Sequence, residues 1–160
     1  MNKSFFLAAA ISTMTIVACN NSDEHTHHDT NAGTEPASQA DSLFKEVMHG
    51  HDEAMAAQMT KMKSATATIQ QMIDSIGKLP AKAQEEAAPY KEKLNQILQE
   101  LNDAGNKMTT WMVEFNIDSA KDNIEQRIKY LADEKLKVND VKDAIFNSIG
   151  KADSLIKQKL

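Results

Sequence analysis

The chain has one cysteine, three prolines, five glycines and few aromatic residues (one Trp, two Tyr, five Phe) among its 160. Each scarcity excludes a class of protein. A single cysteine cannot build a disulfide framework or a thiolate zinc site. The glycines fall at 33, 50, 77, 105 and 150, with no Gly-x-Gly array to cradle a phosphate. Few aromatics and few turn residues argue against a β-sandwich or barrel. Positive charge is also short, the formal net charge being −5, which argues against nucleic acid or anionic lipid as a partner. No catalytic constellation is present either: no Gly-x-Ser-x-Gly elbow, no nucleotide loop and no free cysteine nucleophile. The carboxylates alternate with lysines, as at Glu92–Lys93 and Lys121–Asp122, the usual pattern of a solvated face. The expectation is a non-enzymatic, all-α protein.

Residues 1–18 read as a targeting segment. Lys3 supplies the positive start, and Phe5 to Val17 form an apolar run too short to span a bilayer. The run ends in Ile16-Val17-Ala18-Cys19, which resembles the bacterial lipobox. That resemblance implies cleavage before Cys19 and a diacylglycerol on its thiol. The plainer alternative is an ordinary signal peptide beside an incidental cysteine. Two or three acyl chains anchor stably, each buried methylene adding about 0.8 kcal/mol. Asn20 follows the cysteine, so the aspartate of inner-membrane retention is missing. Ser22-Asp23-Glu24 is similar to the short acidic export signals of Bacteroidota lipoproteins. The implied address is the outer membrane, its periplasmic or its surface face.

Residues 19–40 read as the lipidated cysteine and a flexible spacer, polar enough to be unable to repay its ordering entropy. His25, His27 and His28 lie in it. They are either incidental polar residues or a weak transition-metal tract.

Residues 41–160 carry the fold. Nine methionines, seven of them beyond the leader, are the one excess in the composition. Asp41-Ser42 reads as a helix N-cap. A heptad seam follows at Phe44, Met48, His51, Met55, Gln58, Met62, Ala65, Ile69, Met72, Ile76 and Leu79. Gly77 and Pro80 stop it. A second seam runs through Tyr90, Leu94, Ile97, Leu101, Ala104, Met108, Trp111 and Phe115, with Pro89 either kinking the helix, the preferred reading, or sitting in its first turn. A third starts after an Asp118 or Ser119 cap and takes in Ile124, Ile128, Leu131, Val138, Val141, Ile145, Ile149, Ala152 and Ile156, with Lys135 as its polar interruption. Helices over about 41–77, 81–115 and 118–158 are each roughly 55 Å long at 1.5 Å per residue. Matched lengths and short connections predict an antiparallel, up-down-up, coiled-coil-like three-helix bundle, similar in plan to a spectrin-type repeat.

Antiparallel packing through the turn near 79–82 sets His51 level with 108–115. One cluster is therefore expected: Met48, His51, Met55, Met108, Trp111 and Met112. Thioether and imidazole ligands without thiolate suit Cu(I) or Ag(I). The residue types resemble the ligand set of periplasmic copper-carrying proteins in which an indole caps the metal, and this resemblance implies Cu(I) as a cofactor. The alternatives are a methionine-packed core anchored by Trp111, or a Met-rich groove accepting a peptide or helix. His49-Gly50-His51-Asp52-Glu53 lacks the His spacing of the zinc proteases. Gly50 costs the helix about 1 kcal/mol against alanine, a local inconsistency of the kind found near functional positions.

Val47-Met48-His49-Gly50-His51-Asp52-Glu53-Ala54-Met55 and Met108-Thr109-Thr110-Trp111-Met112-Val113-Glu114-Phe115 resemble segments of a group of small Bacteroidota lipoproteins. These have a His-Asp-Glu-x-Met stretch in the first helix and Trp-Met before the second break, and some carry the label viral A-type inclusion protein. The resemblance implies the envelope address and the helical plan, and no activity. Two functions stay open: a lipid-anchored structural or partner-binding protein, with a protein partner or a homo-oligomer, and a soft-metal binder.

Overall fold

The structure of the protein, a computed structural model, describes residues 36–158. The expected leader, Cys19 and the histidines at 25, 27 and 28 lie outside the described residues. The described chain is all-helical, in three long helical stretches, with no strand. The first stretch is α1 (Pro36–Ala57), a π turn (Gln58–Met62) and α2 (Lys63–Gly77); α3 (Ala81–Glu114) and α4 (Ile124–Lys157) follow. None of these helices is long and apolar enough to cross a membrane.

The helix ends differ from expectation for identifiable reasons. α1 is already helical at Pro36 and passes through Asp41-Ser42, so these residues do not cap it. Proline is well suited to a first helical turn, where its missing N–H is no loss. Ala40 is buried in the packed body, which extends the fold below residue 41. Pro89 stands inside α3, whose N-cap is Pro80; it does not start the helix, and its missing N–H leaves the Glu85 carbonyl without a helical donor. α4 starts at Ile124, capped by the Asn123 side chain, which accepts from the Gln126 N–H at 3.1 Å. Asp118 and Ser119 belong to the preceding loop. There the Asp118 N–H donates to Asn116 Oδ1 at 3.0 Å and the Ser119 N–H to the Asn116 carbonyl at 3.0 Å. Arg127 Nη1 donates to the carbonyls of Ile117 (2.9 Å) and Ser119 (2.8 Å). These bonds hold Ala120 at φ 55°, a left-handed conformation that non-glycine residues rarely take.

Pairs between helices set the register. Glu46 pairs with Lys135, and Glu53 Oε2 accepts from Lys142 Nζ at 3.1 Å, so residue numbers on α1 and α4 rise together. Between α3 and α4 they run oppositely: Trp111 meets Glu134, Glu100 meets Lys151, and the Tyr90 hydroxyl lies 3.1 Å from the Leu155 carbonyl.

The first helical stretch differs most from the expected seam. Its buried positions are Ala40, Val47, Gly50, Ala54 and Ala57, then Met62, Ala65, Ile69 and Ile76. Below the π turn this stripe lies one residue before the expected one, so Met48, His51, Met55 and Gln58 are only half-buried. From Met62 onward the two coincide, except that Met72 is half-buried and Leu79 exposed. The reason is the π turn. The Lys63 N–H reaches back to the Gln58 carbonyl, five residues rather than four, which inserts one residue between Ala57 and Met62 and rephases the heptad. The expected seam favoured the largest apolar side chains; the packing favours the smallest. A Cβ on Gly50 would stand 3.1 Å from Val138 Cγ1, so only a narrow stripe allows α1 this close to α4.

On α3 the expected seam holds, with Leu94, Leu101, Ala104, Met108 and Trp111 all buried. On α4 the buried series is Leu131, Glu134, Val138, Val141, Ile145, Ser148, Ala152 and Leu155, an uninterrupted heptad, with Ile149 beside it. Glu134, not Lys135, is therefore the charged seam residue. Lys135 turns to Glu46 at the surface.

Candidate functional site

The regular three-four spacing of the second seam carries Trp111 into the core three residues from the end of α3, where it is 5% exposed. An indole N–H taken out of water needs an acceptor. Glu134 supplies it: Trp111 Nε1–H donates to Glu134 Oε2 at 2.9 Å, and Glu134 is itself only 4% exposed. Lys137, one turn along α4, donates to the other oxygen, Oε1, at 2.8 Å. The carboxylate is thus satisfied on both oxygens, by a neutral donor within the core and an ammonium at its rim. This hydrogen bond and the negative charge of Glu134 hold the Lys137 ammonium above its ordinary value.

Aromatic rings continue the arrangement. The Trp111 indole stacks on Phe115 at 5.0 Å between centroids, and Phe115 on Tyr130 at 6.1 Å. The Tyr130 hydroxyl accepts from the Asn116 N–H at 2.7 Å, tying the stack to the α3–α4 loop. On the α1 side the His51 ring lies 5.7 Å from the indole, tilted by 36°. Its Nδ1 is 2.9 Å from Asp52 Oδ1, and about a fifth of the side chain is exposed.

The expected cluster is therefore brought together in one pair, His51 with Trp111. Met108 is fully buried in the same core, and Met55 packs against it half-buried. Met48 is half-buried, and Met112 is 39% exposed. Among the described residues no three His, Cys, Asp or Glu side chains converge on a cation position. Cu(I) would draw on thioethers and one imidazole. Of these, the buried Met108 and the exposed Met112 occupy opposite environments.

Glu134, Phe115 and Tyr130 were not singled out as a unit by the sequence reading. For Glu134 a signal existed: it falls on the 3-4 spacing between Leu131 and Val138. A glutamate on a lysine-rich helix reads as solvated, however, until the indole opposite is seen. Gln58 is the second such residue. Its Oε1 is buried without a partner at the π turn, and its amide is close enough to Gly105 that a Cβ there would stand 3.2 Å from Nε2. A groove of about 640 Å³ runs past Gln58, Met59, Met62, Gly105 and Thr109.

On the outer side of α1, Glu53 bridges helices. The hydrogen bond from Lys142 and its positive charge, with a smaller part from His49, hold the Glu53 carboxyl below the usual carboxylate range. Comparison of the chain with models of protein families, with curated proteins and with solved structures finds no match.

Proposed function

We propose that the chain is a lipid-anchored protein of the bacterial cell envelope, its helices forming an up-down-up antiparallel bundle with a non-catalytic, structural or partner-binding role. The observation that carries the reading is the bond between Trp111 and Glu134. The residues best suited to chemistry at a surface are here spent on packing: the indole N–H is bound by a buried carboxylate, and Met108 is sealed beside it. The register of the inter-helix pairs supports the bundle plan, with α1 and α4 running one way and α3 the other. The lipobox-like Ile16-Val17-Ala18-Cys19 supports the anchor.

The test combines mass analysis of the N-terminal peptide with cross-linking in intact bacterial cells. An acylated Cys19 and a reproducible cross-linked partner or homo-oligomer are the expected results. A protein that keeps its leader, or a Cys19→Ala variant that partitions with membranes as the parent does, overturns the anchor. An absence of any cross-linked species overturns the partner-binding role.

One observation favours a second reading, a soft-metal site: the imidazole of His51 lies against the indole of Trp111 at a partly open edge of the core. Ag(I) would then quench Trp111 fluorescence, and His51→Ala would abolish the effect. Equal quenching in parent and variant ends this reading.

A further inference from the structure

The end of the bundle that carries the α3–α4 loop differs from the rest of its surface. Of the eight large apolar side chains exposed among the described residues, four, Met112 (39%), Val113 (82%), Ile117 (51%) and Ile124 (39%), fall within this short segment, while Met59, Leu79, Leu136 and Phe146 stand singly elsewhere. The opposite end, at the α2–α3 turn, exposes only Leu79. Single exposed apolar residues are ordinary, but a group of them at one end of a molecule marks a contact. Loose packing does not explain their exposure. The loop is bound by the Arg127 guanidinium through two carbonyls, by Tyr130 through Asn116, and by the cap at Asn123. Ile117 is held outward on a fixed frame.

The chain itself indicates what this end faces. Glu46 pairs with Lys135 and Glu53 with Lys142, so the start of α1 at Pro36 is level with the start of α4 at Ile124. The apolar end is thus the end at which the chain leads back to Cys19. Sixteen residues, 20–35, separate Cys19 from Pro36. They span at most about 55 Å. The helices are about 50 Å long at 1.5 Å per residue. The α3–α4 end is therefore the end at which a chain held at Cys19 enters the bundle, and the Leu79 end lies a full helix length from that entry.

Resting on the lipid-anchor reading above, we propose that this end sits on the bilayer that holds Cys19, with Val113, Ile117 and Ile124 immersed in the interfacial layer of a zwitterionic lipid surface. The charges specify the lipid. Glu114, Asp118, Asp122 and Glu125 surround the loop, against Lys121 and Lys129, while Arg127 is engaged by backbone carbonyls. An acidic rim is repelled by anionic headgroups, so apolar burial rather than charge drives the contact.

The experiment uses the full lipoprotein purified from bacterial membranes. With the Cys19 thiol acylated, an Ile117→Cys variant offers one free thiol for an environment-sensitive fluorophore, and Leu79→Cys offers the control at the far end. In phosphatidylcholine vesicles the label at 117 is expected to shift to the blue and to lose access to aqueous iodide, while the label at 79 stays water-like. Phosphatidylglycerol vesicles are expected to weaken the shift. A vesicle-bound protein whose label at 117 remains open to iodide overturns the proposal and leaves the anchor intact. A protein that does not bind vesicles, with Cys19 unmodified, overturns the anchor itself. A blue shift that grows with protein concentration in the absence of vesicles assigns the patch to a second copy of the chain, and overturns the proposal as well.

Discussion

Removing Thr60 from the π turn is expected to leave the fold and its stability nearly unchanged, whereas inserting an alanine after Thr60 is expected to be severe. The turn sets the buried positions Ala57 and Met62 five residues apart, where an α-helix would set them four apart. Deleting one exposed residue turns the stretch into continuous α-helix with Val47, Gly50, Ala54 and Ala57 still facing α4. It removes the 2.6 Å bond from the Thr60 hydroxyl to the Ala56 carbonyl and turns the five-residue backbone reach from the Lys63 N–H to the Gln58 carbonyl into a regular four-residue one. A hydrogen bond is worth about 0.5–1.5 kcal/mol net, so the two changes cancel to within about 1 kcal/mol. The insertion acts in the opposite direction. With the π turn kept, Met48, His51, Met55 and Gln58 move to the positions of Val47, Gly50, Ala54 and Ala57. At Gly50 even a methyl carbon would meet Val138 Cγ1 at 3.1 Å, and an imidazole would enter that space. Overpacking costs about 1–3 kcal/mol per site, so four sites together lose at least about 4 kcal/mol of a total near 5–15 kcal/mol. Urea unfolding followed by far-UV circular dichroism and by the emission of the single tryptophan, Trp111, measures both variants. A deletion costing more than about 2 kcal/mol, or an insertion that costs nothing, would falsify the rephasing argument.

The Trp111–Glu134 bond gives a second prediction. Trp111→Phe strands a carboxylate oxygen in the core and is expected to cost about 1.5–3 kcal/mol, while Glu134→Gln, whose carbonyl still accepts from the indole, costs less; denaturant midpoints of the single and double variants separate them, and purely additive effects would count against the bond. Gly50→Leu is expected to destabilise by about 1–3 kcal/mol. Gly150→Ala, with nothing within 4 Å of its added Cβ, is expected to stabilise α4 by about 0.5–1 kcal/mol, and thermal unfolding shows whether the two glycines differ in sign. The Glu53 carboxyl is held below its ordinary range by Lys142. Its contribution to stability is therefore present above the unfolded carboxylate pKa and is lost as pH falls through the lower folded value. Lys142→Met is expected to raise the Glu53 titration midpoint in an NMR titration and to shrink the acid-side slope of stability; an unmoved midpoint refutes the pairing.

The helical plan was legible because period-3.5 patterning is a one-dimensional signal. On α3, Leu94, Leu101, Ala104, Met108 and Trp111 are both the expected and the observed core, and the His51–Trp111 approach follows from numbers that sum across a turn. The same reasoning chose the wrong stripe on α1, where side-chain size competes with interhelical distance. Ala54 and Ala57 bury little area on their own account, and their value lies in the close approach to α4 that they permit. Helix ends were legible only where the stop signals are local, as at Gly77–Pro80. At Asn116–Asn123 the boundary depends on Arg127 reaching back ten residues to the Ile117 carbonyl, a bond that no local propensity contains.

By itself, the sequence determined the class of fold, the three long helical stretches, and the polarity that keeps their outer faces in water, since each of these depends on residues close together in the chain. Only the tertiary structure decided that the small residues of α1 and not its methionines meet α4, that a glutamate completes the seam beneath Trp111, and that the exposed Ile117 and Ile124 lie level with the start of α1. Those outcomes turn on distances between helices, which set how large a side chain fits and which donor finds an acceptor, and such distances exist only once the helices have packed.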